Sequence, residues 1–420
     1  AFQKYRKVGI EHRKTIIQAV RDKAIQNAQL LAQMAHDETH LGRVSDKVVK
    51  NLLVAQKTPG VEILPNEAFV GDNGLTLEEC APFGVILAIT PVTNPTSTII
   101  NNAISMIAAG NTVVFAPHPA SRQVSLTTID LLNEAIESAG GPSNVLTACE
   151  QASIEIAQEL MAHPKVALLV VTGGKAVVDT ALRSGKRTIG AAAGNPPVLV
   201  DDTADPAKAA RDIVLGHSFD NNLPCTSEKE IIATAGIYDA LIACFKSSDI
   251  SMILKSTDIP RLENVVLNEK RTGPNPKYIG RNANVILREL GYQASDDLRT
   301  IIVETDKNHP FVRLEMMMPV LPIVKTRTFE EAVDVAVEVE AGLRHSAVIH
   351  SSNIYHMSDF GRAINTTIFV KNAPSYAGLG FGGEGYTSFT IAGRTGEGMT
   401  TARTFTRIRR CTLVGAFSAV

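Results

Sequence analysis

Apolar residues at Val8, Ile16, Ile17, Val20, Ala24, Ile25, Ala28, Leu31 and Ala32 recur at helical spacing among lysine, arginine and glutamine. The pattern predicts an amphipathic helical N-terminus from Tyr5 to about Met34. It then shortens to alternating segments in "GVEILPNEAFVGDNGLTLEECAPFG". Asp72-Asn73-Gly74 at their centre is hairpin chemistry, because Asn-Gly tolerates positive φ, and a protruding two-stranded arm is expected. From Gly84 apolar strands alternate with helices: "GVILAIT", a helix through "TSTIINNAISMIAAG", "NTVVFA", a helix over Ser125 to Ala139, "NVLTA", a helix over Ile154 to Met161, and "VALLVVTGG". Such alternation describes parallel βαβ units covered on both sheet faces. A second alternating region runs from about Pro197 to Phe369, with strands such as "EIIATA" and "AVIHS" and a helix at "FEEAVDVAVEVE". The glycine-rich "YAGLGFGGEGY" and the basic tail "TFTRIRRCTLVGAF" follow, and the tail is expected to pair with the arm of a neighbouring subunit.

Composition narrows the classes open to such a chain. With 420 residues, 45% hydrophobic, it has material for two or three domains. A net charge of -2 spread along the chain lacks the dense basic patch that nucleic acid or an acidic membrane surface would need. No apolar run approaches the roughly 20 residues that span a bilayer, and a cytoplasmic location is expected. Five scattered cysteines, Cys80, Cys149, Cys225, Cys244 and Cys411, form no CxxC pair and suggest neither a disulfide framework nor a cysteine zinc site. The sequence begins at Ala1 without an initiator methionine, which is compatible with removal of a segment carrying a targeting peptide.

Several motifs invite a chemical reading. "LGFGGEG" contains overlapping GxGxxG matches, but "YTSFTIAG" after it is strand-like, so a flexible glycine loop lining a cleft is expected rather than a dinucleotide fingerprint. "HDETH", His36 to His40, imitates a zinc-protease helix without a third ligand and reads as a solvated helix end; no metal is expected. Cys149 and Cys244 sit among apolar residues and read as small hydrophobes. Cys225 differs: "FDNNLP" before it is loop chemistry and "EIIATA" after it is a strand. At that junction its N–H is placed to serve an oxyanion and its thiolate to serve as nucleophile, against the alternative of a buried filler. "AITPVTNPTST" puts Thr93 and Asn94 at the C-terminal rim of a parallel sheet, where ligands bind. "VVTGGKAVV" puts Thr172, Gly173 and Gly174 ahead of a helix whose free N–H groups suit phosphate.

Taken with "PFGVILAITPVTNPTST", "GNTVVFAPHP", "GNPPVLVDDTAD", "SFDNNLPCTSEKE", "RLEMMMPVLPIV", "GLRHSAVIHS" and "SFTIAGRTGEGMTTARTFTRIRRC", these residues make the chain resemble the aldehyde dehydrogenase superfamily. The resemblance is to its coenzyme-A-acylating branch, the acetaldehyde and propionaldehyde dehydrogenases of bacterial microcompartments, and covers nearly the whole chain. It implies an α/β fold of two domains with parallel sheets and a small β-arm for oligomerisation. The implied dinucleotide-binding domain spans 1–66 and 82–196, the catalytic domain 197–395, and the arm and tail 67–81 and 404–420. By resemblance Cys225 takes the place of the catalytic cysteine, and Glu315 that of the glutamate holding the nicotinamide ribose. Thr90, Pro91, Pro117, His118, Thr172, Gly173, Gly174, Ala191 and Ala192 fall on the cofactor side. Hydrolytic relatives carry a glutamate base for water where this chain has Ala191. Water, with a pKa of about 15.7, needs that help more than a thiol near about 8.5, so its loss favours release to coenzyme A. In "VVFAPHP" the lysine and glutamate that contact the adenosine ribose are replaced by Ala116 and Pro119, with His118 as a substitute contact, which leaves both NAD and NADP open. The oxyanion asparagine of the relatives aligns without gaps to Thr93, and a local shift makes Asn94 the expected donor. His345 matches a histidine of the acylating branch and is placed to accept a proton from the incoming thiol, with a buried structural role as the alternative.

The expected reaction converts a short-chain aldehyde, NAD and coenzyme A to acyl-CoA and NADH through a thioester on Cys225, reversibly. An acyl-phosphate reductase of the same fold would share the cysteine and cofactor without needing coenzyme A. A non-redox cysteine acyltransferase or hydrolase would need no nicotinamide, and the missing GxSxG counts against it. A homo-oligomer, dimer or tetramer, and a microcompartment shell reached through a removed N-terminal peptide are the expected partners.

Overall fold

The computed structural model describes residues 1–151 and 153–415. The chain divides into two compact units, residues 1–34, 48–191 and 386–420 in one and 35–47 and 192–385 in the other. These bounds differ from those expected from the sequence at three places, the first being residues 192–196, which fall in the second unit. Residues 35–47 join the second unit, because Arg43 and Lys47 bind Asp220, through the Arg43 backbone N–H at 2.7 Å and the Lys47 ammonium at 3.1 Å. Residues 386–395 join the first, where Thr390 Oγ1 meets Thr172 Oγ1 at 2.8 Å and Asn102 Oδ1 at 2.9 Å.

In the first unit, β1 (Glu67–Gly71) and β2 (Gly74–Pro82) form the expected hairpin. Asp72 and Asn73 make the turn, and the positive φ falls on Gly74 at 120°. The C-terminal strand Thr406–Val414 pairs antiparallel with the other edge of β2 in the same chain. The tail thus completes its own arm along one edge of β2; residues 416–420 lie outside the described residues. Register is set by cross-strand pairs, Arg410 Nε to Glu78 Oε1 at 2.8 Å and Thr76 Oγ1 to Thr412 Oγ1 at 3.0 Å. Five parallel strands follow: β3 (Val85–Thr90), β4 (Thr112–Pro117), β5 (Leu146–Ala148), β6 (Val166–Thr172) and β7 (Thr188–Ala191). Their order is β5-β4-β3-β6-β7, so the winding reverses between β3 and β6. Helix Pro95–Ala108 returns from β3 to β4 with all its residues buried. Some of its polar side chains pair, Asn101 Nδ2 donating to Asn102 Oδ1 at 3.1 Å and Thr96 Oγ1 to Asn51 Oδ1 at 2.7 Å, while Thr98 Oγ1, Asn102 Nδ2 and Ser105 Oγ are buried without a protein partner.

The second unit holds seven parallel strands: β8 (Pro197–Val200), β9 (Glu230–Thr234), β10 (Ser251–Ile253), β11 (Thr300–Thr305), β12 (Val320–Thr326), β13 (Ser346–His350) and β14 (Ile368–Lys371). Their order is β10-β11-β12-β9-β8-β13-β14. The "FEEAVDVAVEVE" pattern forms helix Phe329–Glu340, burying Ala332, Val335, Ala336 and Val339 against Leu199, Ile232 and Ile349. The GxGxxG stretch lies in a short turn, Ser375–Leu379, followed by Gly380 and Gly382 at φ 80° and 68°, with no helix after it. "YTSFTIAG" forms strand only at Ile391–Ala392; Ser388 Oγ bonds locally, to the Thr390 carbonyl at 3.1 Å. Helix Ala28–Thr39 stops inside "HDETH", leaving His40 at φ 56°, so its two histidines do not share a helical face. Among the described residues no helix is long and apolar enough to cross a membrane.

Candidate active site

In the first unit the expected cofactor residues end adjacent strands in one row. Thr90 pairs with Pro117, Ile89 with Val171, and Thr172 with Ala191. The row lies at the C-terminal edge of the sheet and straddles the reversal between β3 and β6, where open α/β sheets bind ligands. Pro91 follows β3, and exposed His118 follows β4, its Nδ1 accepting the Ala120 N–H at 3.2 Å. Gly173 donates to the Ala191 carbonyl at 3.0 Å, and Gly174 caps helix Lys175–Leu182. No atom lies within 4 Å of where a Cβ on Gly174 would stand, so a phosphate can approach the helix N-terminus there. Asn94 begins helix Pro95–Ala108. Its amide donates to Thr93 Oγ1 at 3.1 Å and accepts from Lys50 Nζ at 2.6 Å.

In the second unit Cys225 stands in an unusual setting. From Gly216 to Thr234 every residue is buried except Cys225, which is half-buried. The segment before it is strained: Asp220, Asn221 and Asn222 all adopt left-handed backbone, at φ 49°, 55° and 65°. Each such residue costs roughly 1–2 kcal/mol, least for Asn and Asp. Side-chain anchors offset the cost. Asp220 Oδ1 accepts the Arg43 N–H and Oδ2 the Lys47 ammonium, while Asn221 Nδ2 donates to the Gly280 carbonyl at 2.9 Å. Gly42 is required beside them, because a Cβ there would overlap the Asp220 carboxylate. Asn222 Nδ2 donates to the carbonyls of His217 and Glu228 at 3.0 and 2.9 Å. The loop that "FDNNLP" predicts is present, and it is buried and tethered.

Beneath this segment lies Lys229, 3% exposed. Its ammonium donates to the Asn222 carbonyl at 2.9 Å and to Asn222 Oδ1 at 2.7 Å, with the Pro224 carbonyl at 3.4 Å. Burial lowers its pKa, and the negative fields of Glu315, Cys225, Glu230 and Glu228 push back. By reciprocity Lys229 favours the Cys225 thiolate. Sequence reasoning missed this residue, since a lysine in "SEKE" looks like surface charge. Burial pushes the Glu315 carboxyl above its ordinary range, opposed by Lys229 and by the Gly194 N–H, which it accepts. Gly194, two residues after half-buried Ala192, is packed so closely that a Cβ would lie 2.7 Å from His345 Cγ and 2.9 Å from the Cys225 carbonyl. Cys225, Glu315 and His345 therefore share one neighbourhood around Gly194 and Lys229. His345 is 3% exposed, and its N–H donates to Glu340 Oε1 at 3.0 Å. Burial lowers the His345 pKa to about 4, assisted by the Lys229 charge, so the ring is neutral near pH 7. Nδ1 lies 3.0 Å from Ser346 Oγ, and buried Nε2 has no protein partner. Glu228 is fully buried, accepting the Ser375 N–H and hydroxyl at 2.7 Å each, and burial raises its pKa to about 7.

Comparison with known proteins places the chain in a family. The profile of the Aldehyde dehydrogenase family matches residues 1–256 and 289–409. The acetylating acetaldehyde dehydrogenase EutE of Salmonella typhimurium is 49% identical over 413 residues, covering 97% of this chain and 88% of its own. A crystal structure of Rhodopseudomonas palustris propionaldehyde dehydrogenase, with bound CoA and an acylated cysteine, superposes with a TM-score of 0.97 at 48% identity, covering 100% of this chain and 96% of its own. A propionaldehyde dehydrogenase from the Clostridium phytofermentans fucose utilisation microcompartment gives a TM-score of 0.97 at 47% identity, with coverages of 100% and 96%.

Proposed function

The chain belongs to the aldehyde dehydrogenase family, and from that premise we propose that it oxidises a short-chain aldehyde and passes the acyl group to coenzyme A through Cys225. The carrying observation is the exposure of Cys225 alone in an otherwise buried stretch, above the Lys229 ammonium. A nicotinamide cofactor fits the first unit: Thr90, Pro91, Pro117, His118 and Thr172 would line it, Gly173 and Gly174 would leave room for its diphosphate, and Ala191 would meet its nicotinamide end. When bound, that group supplies the hydride acceptor, NAD or NADP.

The Cys225 thiolate adds to the aldehyde carbon, and its own N–H with the Asn94 amide stabilises the oxyanion. Loss of hydride leaves a thioester on Cys225. Coenzyme A then attacks that thioester, and the thiol proton passes to Nε2 of His345 in the tautomer that donates from Nδ1 to Ser346. Acyl-CoA leaves and Cys225 returns as thiolate. Thioester exchange is nearly balanced, so the cycle runs both ways. Ala191, at the end of β7 with only a methyl, gives water no base, which supports coenzyme A as acceptor.

Self-association is supported by the arm, which exposes Phe69, Val70, Ile408, Leu413 and Val414. A place inside a bacterial microcompartment is supported by likeness to the Clostridium phytofermentans enzyme, and a shell contact would use a peptide preceding Ala1.

NADH formation from propionaldehyde and NAD, with and without coenzyme A, tests the reading on the intact protein and on Cys225→Ser. Turnover should require both coenzyme A and the cysteine. Turnover in water alone would overturn the role given to Ala191, and turnover with inorganic phosphate in place of coenzyme A would identify an acyl-phosphate reductase.

A further inference from the structure

Lys50, on helix Val44–Lys57, is 2% exposed, and its ammonium lies 2.6 Å from Asn94 Oδ1. A buried lysine is unusual, and this one reaches an amide oxygen. Asn94 is also unusual: it stands at a helix N-cap, yet its side chain makes no capping bond to the helix N–H groups. Its amide is held from both sides, Oδ1 by Lys50 and Nδ2 by Thr93 Oγ1 at 3.1 Å. The two partners differ in what they decide. A hydroxyl donates or accepts and so tolerates either face of an amide, whereas an ammonium only donates and tolerates only the oxygen. Lys50 therefore selects the amide orientation, and with it which atom is left to face a ligand.

We propose that Lys50 is a positioning residue for the oxyanion donor: by binding Oδ1 it turns the Asn94 amide so that an N–H, and never the oxygen, is offered to the oxygen of the reacting carbonyl. The inference rests on the oxyanion role proposed above for Asn94. An oxygen presented there would repel the developing negative charge, so amide polarity matters as much as position. The same helix region is fastened independently of Lys50. Thr96 Oγ1 donates to Asn51 Oδ1 at 2.7 Å, and Thr58 Oγ1 donates to Asn101 Oδ1 at 3.1 Å. Removing the ammonium thus leaves the packing of these segments two polar ties, which separates a positioning effect from loss of fold.

The test compares the pre-steady-state rate of NADH formation from propionaldehyde and NAD in the intact enzyme, Lys50→Met, Asn94→Ala, the double variant, and Thr58→Val as a packing control. Lys50→Met should slow the step roughly 10- to 100-fold with little change in aldehyde KM, and should add nothing in the Asn94→Ala background. Thr58→Val should leave the rate within about twofold. An unchanged rate in Lys50→Met beside an impaired Asn94→Ala overturns the proposal. So do effects of the two substitutions that multiply, or an equal loss in Thr58→Val. An unimpaired Asn94→Ala instead overturns the oxyanion role itself, whatever Lys50 does.

Discussion

Thr90, Pro117, Thr172 and Ala191 end their strands in one register and offer mostly backbone and small side chains, whereas Cys225 rides on three left-handed residues pinned by buried charges. The first region must admit and release a large ligand, and it does so with small groups, of which Thr90 Oγ1 is buried without a protein partner. The second must hold one sulfur atom still, and it does so by fixing every neighbour. Asp220, Asn221 and Asn222 are each about 1% exposed or less, and each is bound through its side chain. Openness suits exchange of ligands, and over-determination suits a nucleophile.

Breaking the pinned side should cost most. Asp220→Ala strands the buried Lys47 ammonium and frees the left-handed run, so urea unfolding should show a loss of roughly 3–5 kcal/mol. Glu228→Gln probes the same side through pH. The Glu228 carboxyl titrates at about 7 in the folded protein against an ordinary 4.5. Its contribution to stability is therefore fully present below about pH 4.5, falls as the unfolded chain alone ionises, and levels off above about pH 7, a change of about 3 kcal/mol. Urea midpoints measured at about pH 5 and about pH 8 should differ less in Glu228→Gln than in the parent. Lys229→Met removes the cation under the cysteine loop, and the pH midpoint for alkylation of Cys225 by iodoacetamide should rise. An unmoved midpoint would reduce Lys229 to a loop tie. On the open side Thr172→Val, which deletes a hydroxyl on the strand-end row, should raise the KM for NAD by about threefold, under about 1 kcal/mol, with kcat unchanged.

The same contrast governs how much the sequence reveals. The strands of the first sheet and helix Phe329–Glu340 were legible because their burial follows local periodicity. The strand-end row was legible too, since strand ends follow from strand positions. The cysteine cradle was only half legible. Cys225 stood out at its loop-to-strand junction, but nothing local shows that "FDNN" is buried, because Asp220 depends on Arg43 and Lys47, more than 170 residues away, and Lys229 turns inward to Asn222 only once that loop is buried. That distant pairing also moved residues 35–47 into the second unit. "YTSFTIAG" misled by alternation alone: Ser388 Oγ bonds the Thr390 carbonyl and Thr390 Oγ1 bonds distant Thr172 and Asn102, so the alternating hydroxyl groups mimic a strand pattern without strand pairing.

The closing strand of the arm sets a clock on the nascent chain. Arg410 and its partner Glu78 are 332 residues apart in sequence. At roughly 5–20 residues per second on a ribosome, the edge of β2 waits about 20 to 60 s for Thr406–Val414 to emerge. During that interval the hairpin presents bare backbone beside Phe69 and Val70, a template for any passing strand. Premature termination before Thr406 would make the exposure permanent, so shortened products of this chain should aggregate through the arm even when both α/β units have folded.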